Sequence, residues 1–222
     1  MKGLNYLRFI AKLTAGKISG QFLEEKYYIK NGYRHRKSYN YDDDTSYQDE
    51  YQKEVYQLAK NYLLENNFSK ILDIGCGSGF KLISYFGDYQ TIGMDVNPTF
   101  DYLKKTFPDR TWINAELDSS SIPKEVDIII CADVVEHVLK PDELLEMIKK
   151  IKFKYLFLST PERDMLYGIQ NYGPPDNPTH VREWNAREFR RFVGEYFNII
   201  SHQITHVAHT TQLLVCTPFK DL

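Results

Sequence analysis

The residues with the clearest chemical potential lie in one decapeptide, Ile71-Leu-Asp-Ile-Gly-Cys-Gly-Ser-Gly-Phe80. An apolar run that turns through Gly75, Cys76 and Gly77 into a helix near Ser78 gathers backbone N–H groups and a partial positive charge, where a ligand can approach without meeting a Cβ. Asp95 closes the next apolar run 20 residues after Gly75, the position from which a carboxylate accepts both hydroxyls of a ribose. A dinucleotide fingerprint counted from Gly75 requires a small residue at position 80, and Phe80 stands there, which disfavours NAD. The loop instead has GxGxG spacing behind an acid, Asp73, which suits a ligand with an ammonium group and no pyrophosphate. S-adenosylmethionine has that chemistry. Cys76 has no basic neighbour to activate its thiol and reads as a small filler of the turn.

A second group of ionisable residues, Asp133, Glu136 and His137, follows the apolar run that ends at Ala132. An imidazole here has a resting pKa suited to taking a proton from a hydroxyl. His180 stands in Asn-Pro-Thr-His-Val-Arg-Glu-Trp184, within a loop rich in Pro, Gly and Asn that runs from Thr160 to Trp184. A loop of that length suits a lid or a wall for an acceptor, with His180 facing it or, together with Arg182, stapling the loop down. Trp184, Tyr167 and Tyr172 are stacking candidates with packing as the alternative. His202, His206 and His209 invite a metal reading, but the first two would stand about 13 Å apart on one side of a strand, too far for one ion. No metal site is expected from them, and they read as exposed edge residues.

These residues need a scaffold. From residue 70 onward, strands are expected over Lys70–Ile74, Gln90–Asp95, Thr111–Ala115, Val126–Ala132 and Lys154–Ser159, apolar on both faces as in a covered parallel sheet. Helices are expected between them, from Ser78 to Phe86, from Pro98 to before Pro108, and from Pro141-Asp-Glu143 onward. The order predicts an α/β fold, a Rossmann-like, doubly wound, mostly parallel sheet. A helix near Ala186–Val193 and two β-rich runs, Asn198–Thr205 and Thr211–Thr217, add an antiparallel C-terminal hairpin. Upstream, Val55, Leu58, Ala59, Tyr62 and Leu63 form one apolar stripe of a helix with Thr45 as its candidate cap. Leu4, Leu7, Ile10 and Leu13, beside Lys2, Arg8, Lys12 and Lys17, suggest an amphipathic helix docked on the body, with a membrane-surface helix as the alternative. Residues 1–44 are thus expected to cap a catalytic unit of residues 45–222, and the Asp42–Asp44 run to be a solvated turn.

The chain has 222 residues with 42% hydrophobic and 26% charged content, enough for one cored domain with an elaboration. A net charge of −2 provides no broad positive field for nucleic acid. Three dispersed cysteines argue against a disulfide framework. No apolar run is long enough for a membrane span, and Arg8 and Lys12 interrupt any secretory signal. The expectation is a cytoplasmic protein acting on a small molecule. Seventeen tyrosines suit a pocket that stacks on a polar ligand while bonding to it.

Residues 71–80, Thr91–Asn97, Asn114-Ala-Glu116 and Asp127–Val138 together resemble the ordered motifs of the class I S-adenosylmethionine-dependent methyltransferases, over about residues 45 to 217. The resemblance implies that Asp73, Gly75, Cys76, Gly77 and Gly79 line the methionine end of the cofactor and that Asp95 holds the ribose. It places Val96 or Asn97 beside the adenine, and Asn114, Ala115 and Glu116 at the adenine edge, with Asp118 as a substitute for Asn114. Asp133 is a candidate for both cofactor binding and catalysis. The Glu-His segment and the His-Val-Arg-Glu-Trp loop resemble bacterial small-molecule methyltransferases, some of them of surface-glycan biosynthesis. They imply O-methylation of a small polar metabolite such as a sugar or sugar nucleotide, with His137, His180 or Asp133 handling the proton. The alternatives are N- or C-methylation of another metabolite such as a quinone precursor, a non-catalytic cofactor-binding subunit, and an NAD-linked oxidoreductase.

Overall fold

The structure is a computed structural model that describes residues 26–38, 43–116, 121–206 and 210–219. The expected helix at Leu4–Leu13, Asp118 and His209 lie outside the described residues, as does the side chain of His206. Seven strands form one sheet: β1 (Lys70–Ile74), β2 (Gln90–Asp95), β3 (Thr111–Asn114), β4 (Ile128–Ala132), β5 (Tyr155–Pro161), β6 (Asn198–His206) and β7 (Thr211–Thr217). Their order is β3-β2-β1-β4-β5-β7-β6. The first five run parallel, β7 lies antiparallel to β5, and β6 lies antiparallel to β7 at the edge. This is the mostly parallel, doubly wound sheet with an antiparallel C-terminal hairpin that the alternation of elements predicts.

Side chains alternate across each strand, and here both faces are apolar. Leu72, Ile74, Ile129 and Cys131 join one core with Leu145 and Ile148 of α4 (Pro141–Lys149) and Phe189 and Phe192 of α6 (Ala186–Gly194). Ile71, Ile128 and Ile130 join the other, with Val55, Tyr56 and Ala59 of α1 (Lys53–Glu65) and Leu82 and Phe86 of α2 (Phe80–Phe86). The remaining helices are α3 (Thr99–Thr106) and a short α5 (Arg163–Tyr167) inside the long loop after β5, where the sequence suggested no helix.

Two local expectations are corrected. Thr45 does not cap α1, which starts at Lys53 behind Gln52 in a left-handed conformation. Residues 45–51 are held over the first loop of the sheet instead: the Tyr47 carbonyl accepts from Ser78 Oγ at 2.5 Å and the Gln48 carbonyl from Lys81 Nζ at 3.1 Å. These tertiary bonds outweigh a local capping signal. His202 is not an exposed edge residue; it is half-buried, with Nε2 donating to Gln212 Oε1 at 3.1 Å across the β6–β7 pair.

Residues 26–36 form a strap against the loop that follows β5. Trp184 Nε1 donates to the Tyr27 carbonyl at 3.0 Å, Arg34 N to the Tyr172 carbonyl at 2.9 Å, and Arg36 N to the Val181 carbonyl at 2.8 Å. The loop is anchored below by Arg163, fully buried and bonded to Glu188 at 2.6 Å. Asn185 begins α6 with a capping box, its side chain accepting from Glu188 N at 2.9 Å while Glu188 Oε2 accepts from Asn185 N at 3.1 Å. Asn185→Ala is expected to lower stability by about 1–2 kcal/mol, read from the midpoint of urea unfolding.

Candidate active site

β1 and β4 are neighbours at the point where strand order reverses, so the loops leaving their carboxyl ends diverge and open a crevice. A Cβ on Gly75 would stand 2.4 Å from Val134 Cγ2, so glycine is what lets the loops after β1 and β4 touch. At Gly77 the backbone has φ +53°, and a Cβ there would fall 2.2 Å from Asp44 Oδ2. A side chain would therefore fill the cradle as well as strain the turn. Gly77→Ala is expected to weaken S-adenosylhomocysteine binding by about tenfold or more, equivalent to about 1.4 kcal/mol or above, measured by calorimetry.

Asp95 braces this turn. Its Oδ2 accepts from Gly77 N and its Oδ1 from Val96 N, each at 2.8 Å. Burial raises its pKa, and the two N–H bonds offset part of that rise. Asn114 is the register partner of Asp95 at the adjacent strand end. Its Oδ1 accepts from Glu116 N at 2.9 Å, whereas its buried Nδ2 has no partner. Asp73 is wholly buried, with Oδ2 accepting from the Tyr56 hydroxyl at 2.9 Å and Oδ1 unpartnered. Burial pushes its carboxyl up to about 7, against the Tyr56 bond that favours the charged form. An orphaned acidic oxygen, an orphaned amide and a side-chain-free cradle fit a ligand with an ammonium group, a ribose and a base edge. S-adenosylmethionine meets those three demands.

The crevice has a volume of about 340 Å³. Gly75, Cys76, Gly77 and Ser78 border it on one side, and Ala132, Asp133, Glu136 and His137 on the other. Asn177 and His180 reach it from the loop after β5. Of the residues singled out in the sequence, Gly75, Cys76, Gly77, Asp133, Glu136, His137 and His180 meet here. Asp73 lies beneath Tyr56, which itself borders the space. Gly79 lies just off the border, and a Cβ there would stand 2.9 Å from Leu103 and 3.0 Å from Trp112. Asp95, Val96, Asn97, Asn114, Ala115 and Glu116 gather beyond the border, at and just after the ends of β2 and β3.

Sequence reasoning missed the roof. Asp44, Tyr47, Tyr51 and Gln52 border the crevice. Asp44 opens a turn, its carbonyl accepting from Tyr47 N at 2.9 Å, with Asp43 exposed and Asp44 half-buried, while Asp42 lies outside the described residues. The bordering residues carry no periodic signal, because they form no regular element and are placed by bonds to the loop below. Lys81 was findable, since it stands one helical turn after Gly77 and also faces the crevice.

Asp133 has φ +54°, unusual for a residue other than glycine. Its N–H donates to the Ser159 carbonyl at 3.1 Å, its Oδ1 accepts from Ser159 Oγ at 2.6 Å, and its Oδ2 accepts from Gln52 Nε2 at 3.0 Å. Burial raises its pKa while the Ser159 and Gln52 bonds pull it back. The rings of His137 and His180 meet edge to face at 4.7 Å. Burial, with His180 next in effect, lowers the His137 pKa to about 4, so this ring is neutral and weakly basic. His180 Nδ1 lies 2.7 Å from Glu183 Oε1. Arg182 staples the loop by donating to the Val138 and Leu139 carbonyls at 2.6 and 2.8 Å. Trp184 is a core anchor, fully buried and stacked on Phe192. Neither Tyr167 nor Tyr172 borders the crevice.

A methyltransferase-domain family model matches residues 45–202. The mitochondrial ubiquinone biosynthesis O-methyltransferase of Schizosaccharomyces pombe is 26% identical over 147 residues, 60% of this chain and 54% of that protein, so the chain spans about half of that relative's length. Magnesium protoporphyrin IX methyltransferase from Synechocystis, solved with S-adenosylhomocysteine, superposes with a TM-score of 0.54 at 18% identity, over 75% of this chain and 86% of that one. The N-terminal domain of EvdMO1, solved in the presence of S-adenosylhomocysteine and D-fucose, superposes with a TM-score of 0.53 at 14% identity, over 77% and 84% of the two chains. At those identities the two structures speak for the fold. The family match runs from the roof of the crevice into β6, and on that basis the chain belongs to the S-adenosylmethionine-dependent methyltransferase-domain family.

Proposed function

We propose that the protein transfers a methyl group from S-adenosylmethionine to a hydroxyl of a small polar molecule. The observation that carries this reading is the crevice itself, with the glycine loop after β1 on one wall and Asp133, Glu136, His137 and His180 on the other. Bound sulfonium supplies an electrophilic methyl carbon, so the chain need only align donor and acceptor, exclude water and manage one proton. On this reading Asp95 takes the ribose hydroxyls, the Asp73 side and the Gly75–Gly77 turn take the amino-acid end, and Val96, Asn97, Asn114, Ala115 and Glu116 surround the base. Gly79 supports the turn by packing. Tyr47, Tyr51, Gln52 and Asn177 form a polar wall for the acceptor, and the strap at 26–36 fixes the loop that carries His180. Residues 45–222 would then carry the chemistry, with the described part of 1–44 bracing the acceptor side.

The acceptor class we favour is a sugar or sugar nucleotide, supported by the resemblance of the Glu-His segment and the His180 loop and by the hydroxyl-binding character of that wall. A phenolic quinone precursor is the second reading, favoured by the sequence relation to a ubiquinone-pathway O-methyltransferase. Among the described residues no helix is long and apolar enough to cross a membrane, which is compatible with a soluble small-molecule acceptor.

Calorimetry with S-adenosylhomocysteine and NAD tests the cofactor, with binding of the first only expected; binding of NAD alone would overturn it. Transfer of labelled methyl to sugars, sugar nucleotides and catechols in parallel tests the acceptor. His180→Gln is expected to lower kcat without changing S-adenosylhomocysteine affinity, and an unchanged kcat removes His180 from the proton path.

A further inference from the structure

Glu136, His137 and His180 come together with one ligand-type atom from each within 4.8 Å of the others. Glu136 is wholly buried and neither carboxylate oxygen has a hydrogen-bond partner. A buried carboxyl without hydrogen-bond partners is satisfied by holding a proton or by meeting a cation. The two imidazoles beside it share an arrangement. His137 Nδ1 stands 3.2 Å from the Thr179 carbonyl, which can only accept, so the proton sits on Nδ1 and the lone pair on Nε2. The Asn177 amide is oriented by Thr179, whose N and Oγ1 donate to Asn177 Oδ1 at 2.9 and 2.8 Å. Asn177 Nδ2 therefore faces His180 Nε2, at 3.0 Å, and donates to a lone pair there. His180 Nδ1 in turn carries the proton shared with Glu183. Both rings are thus fixed through Nδ1 by an oxygen acceptor, a backbone carbonyl in one case and a buried carboxylate in the other. This second layer of contacts is how proteins orient histidines whose other nitrogen binds a metal.

We propose that Glu136, His137 and His180 form a binding site for a single divalent transition-metal ion, whose open coordination positions face the crevice and receive the acceptor's hydroxyl. Two imidazoles and one carboxylate suit zinc, iron(II), manganese or cobalt, and are too rich in nitrogen for calcium or magnesium. Ligand atoms about 2.0–2.2 Å from one ion lie roughly 3.3–3.5 Å apart in tetrahedral geometry, so the cluster closes by side-chain rotation, with the Asn177 amide giving up Nε2. Asp133 stays outside the set because Ser159 and Gln52 already hold its oxygens. An ion here would favour the deprotonated acceptor oxygen, the proton passing to solvent. That role rests on the methyl-transfer reading above; the binding of the ion does not.

The test is to strip the full-length protein with a chelator and titrate it with Co²⁺, following visible absorption, with S-adenosylhomocysteine calorimetry on the same samples. One equivalent of Co²⁺ is expected to bind with the absorption of a low-coordinate nitrogen–oxygen site. Glu136→Gln preserves shape and is expected to weaken Co²⁺ binding by more than about 100-fold while S-adenosylhomocysteine still binds. His180→Gln is a second variant with the same expectation. No Co²⁺ absorption in the wild type, or equal binding by both variants, overturns the site. Loss of S-adenosylhomocysteine binding in the wild type with Co²⁺ binding intact overturns the methyl-transfer reading instead.

Discussion

Asp95→Ala is expected to lower S-adenosylhomocysteine affinity by about 100-fold or more. Two roles of this side chain add in that loss. A carboxylate at the end of β2 offers free lone pairs to two ribose hydroxyls, and hydrogen bonds to a charged group contribute about 1.5–3 kcal/mol each. The same carboxylate accepts from Gly77 N and Val96 N, so its removal also releases the turn that shapes the cradle. Asp95→Asn separates the roles: it keeps one acceptor oxygen for the backbone and loses the charge, and should recover part of the lost affinity. Calorimetry on the three proteins checks this. Wild-type affinity in Asp95→Ala would mean that the ribose lies elsewhere and would remove the anchor of the cofactor assignment.

The second large effect concerns Asp73 and has opposite signs for binding and stability. Its folded-state pKa of about 7 lies above the ordinary 3.8, chiefly because of burial. The folded form therefore binds a proton that the unfolded chain releases, so this group's contribution is fully present below about pH 4 and is lost as pH rises through about 7. The difference corresponds to about 4 kcal/mol. Asp95 and Asp133, also raised by burial, act in the same direction. Asp73→Asn removes the ionisation and leaves an amide N–H without a partner, which costs about 1–3 kcal/mol. The variant should therefore melt above the wild type at pH 8 by several degrees, and below it at about pH 4, where the wild-type group keeps nearly all of its contribution. Its affinity for the ammonium-bearing ligand should fall by about 10- to 100-fold and lose the rise with pH that the wild type shows between 5 and 8. Melting curves that fail to cross would show that Asp73 does not titrate in this range.

The strands and the order of helices were readable in the sequence because the signal is local. Ile128–Ala132 is a continuous apolar run and Ile71–Ile74 is apolar but for Asp73, and Gly87 and Pro141 mark helix ends by their own backbone preferences. The turn through Gly75 and Gly77 and the acid at Asp95 were readable for the same reason: their chemistry depends on backbone freedom and on position at a strand end. Three things depended on the tertiary structure. The roof from Asp44 to Gln52 has no periodicity, and its bonds to Ser78 and Lys81 settle its path against a local capping signal at Thr45. Trp184 looks like a ligand residue by type, yet its full burial and its stacking on Phe192 make it a packing residue. His180 is separated from the adjacent Glu136 and His137 by a helix, a strand and a long loop, and only the pairing of β4 with β5 and the loop's return over their carboxyl ends brings the three within 4.8 Å. Residue type and spacing determine what a site's parts can do; which parts share a desolvated space is decided by contacts between segments distant in the chain, and no local pattern encodes those.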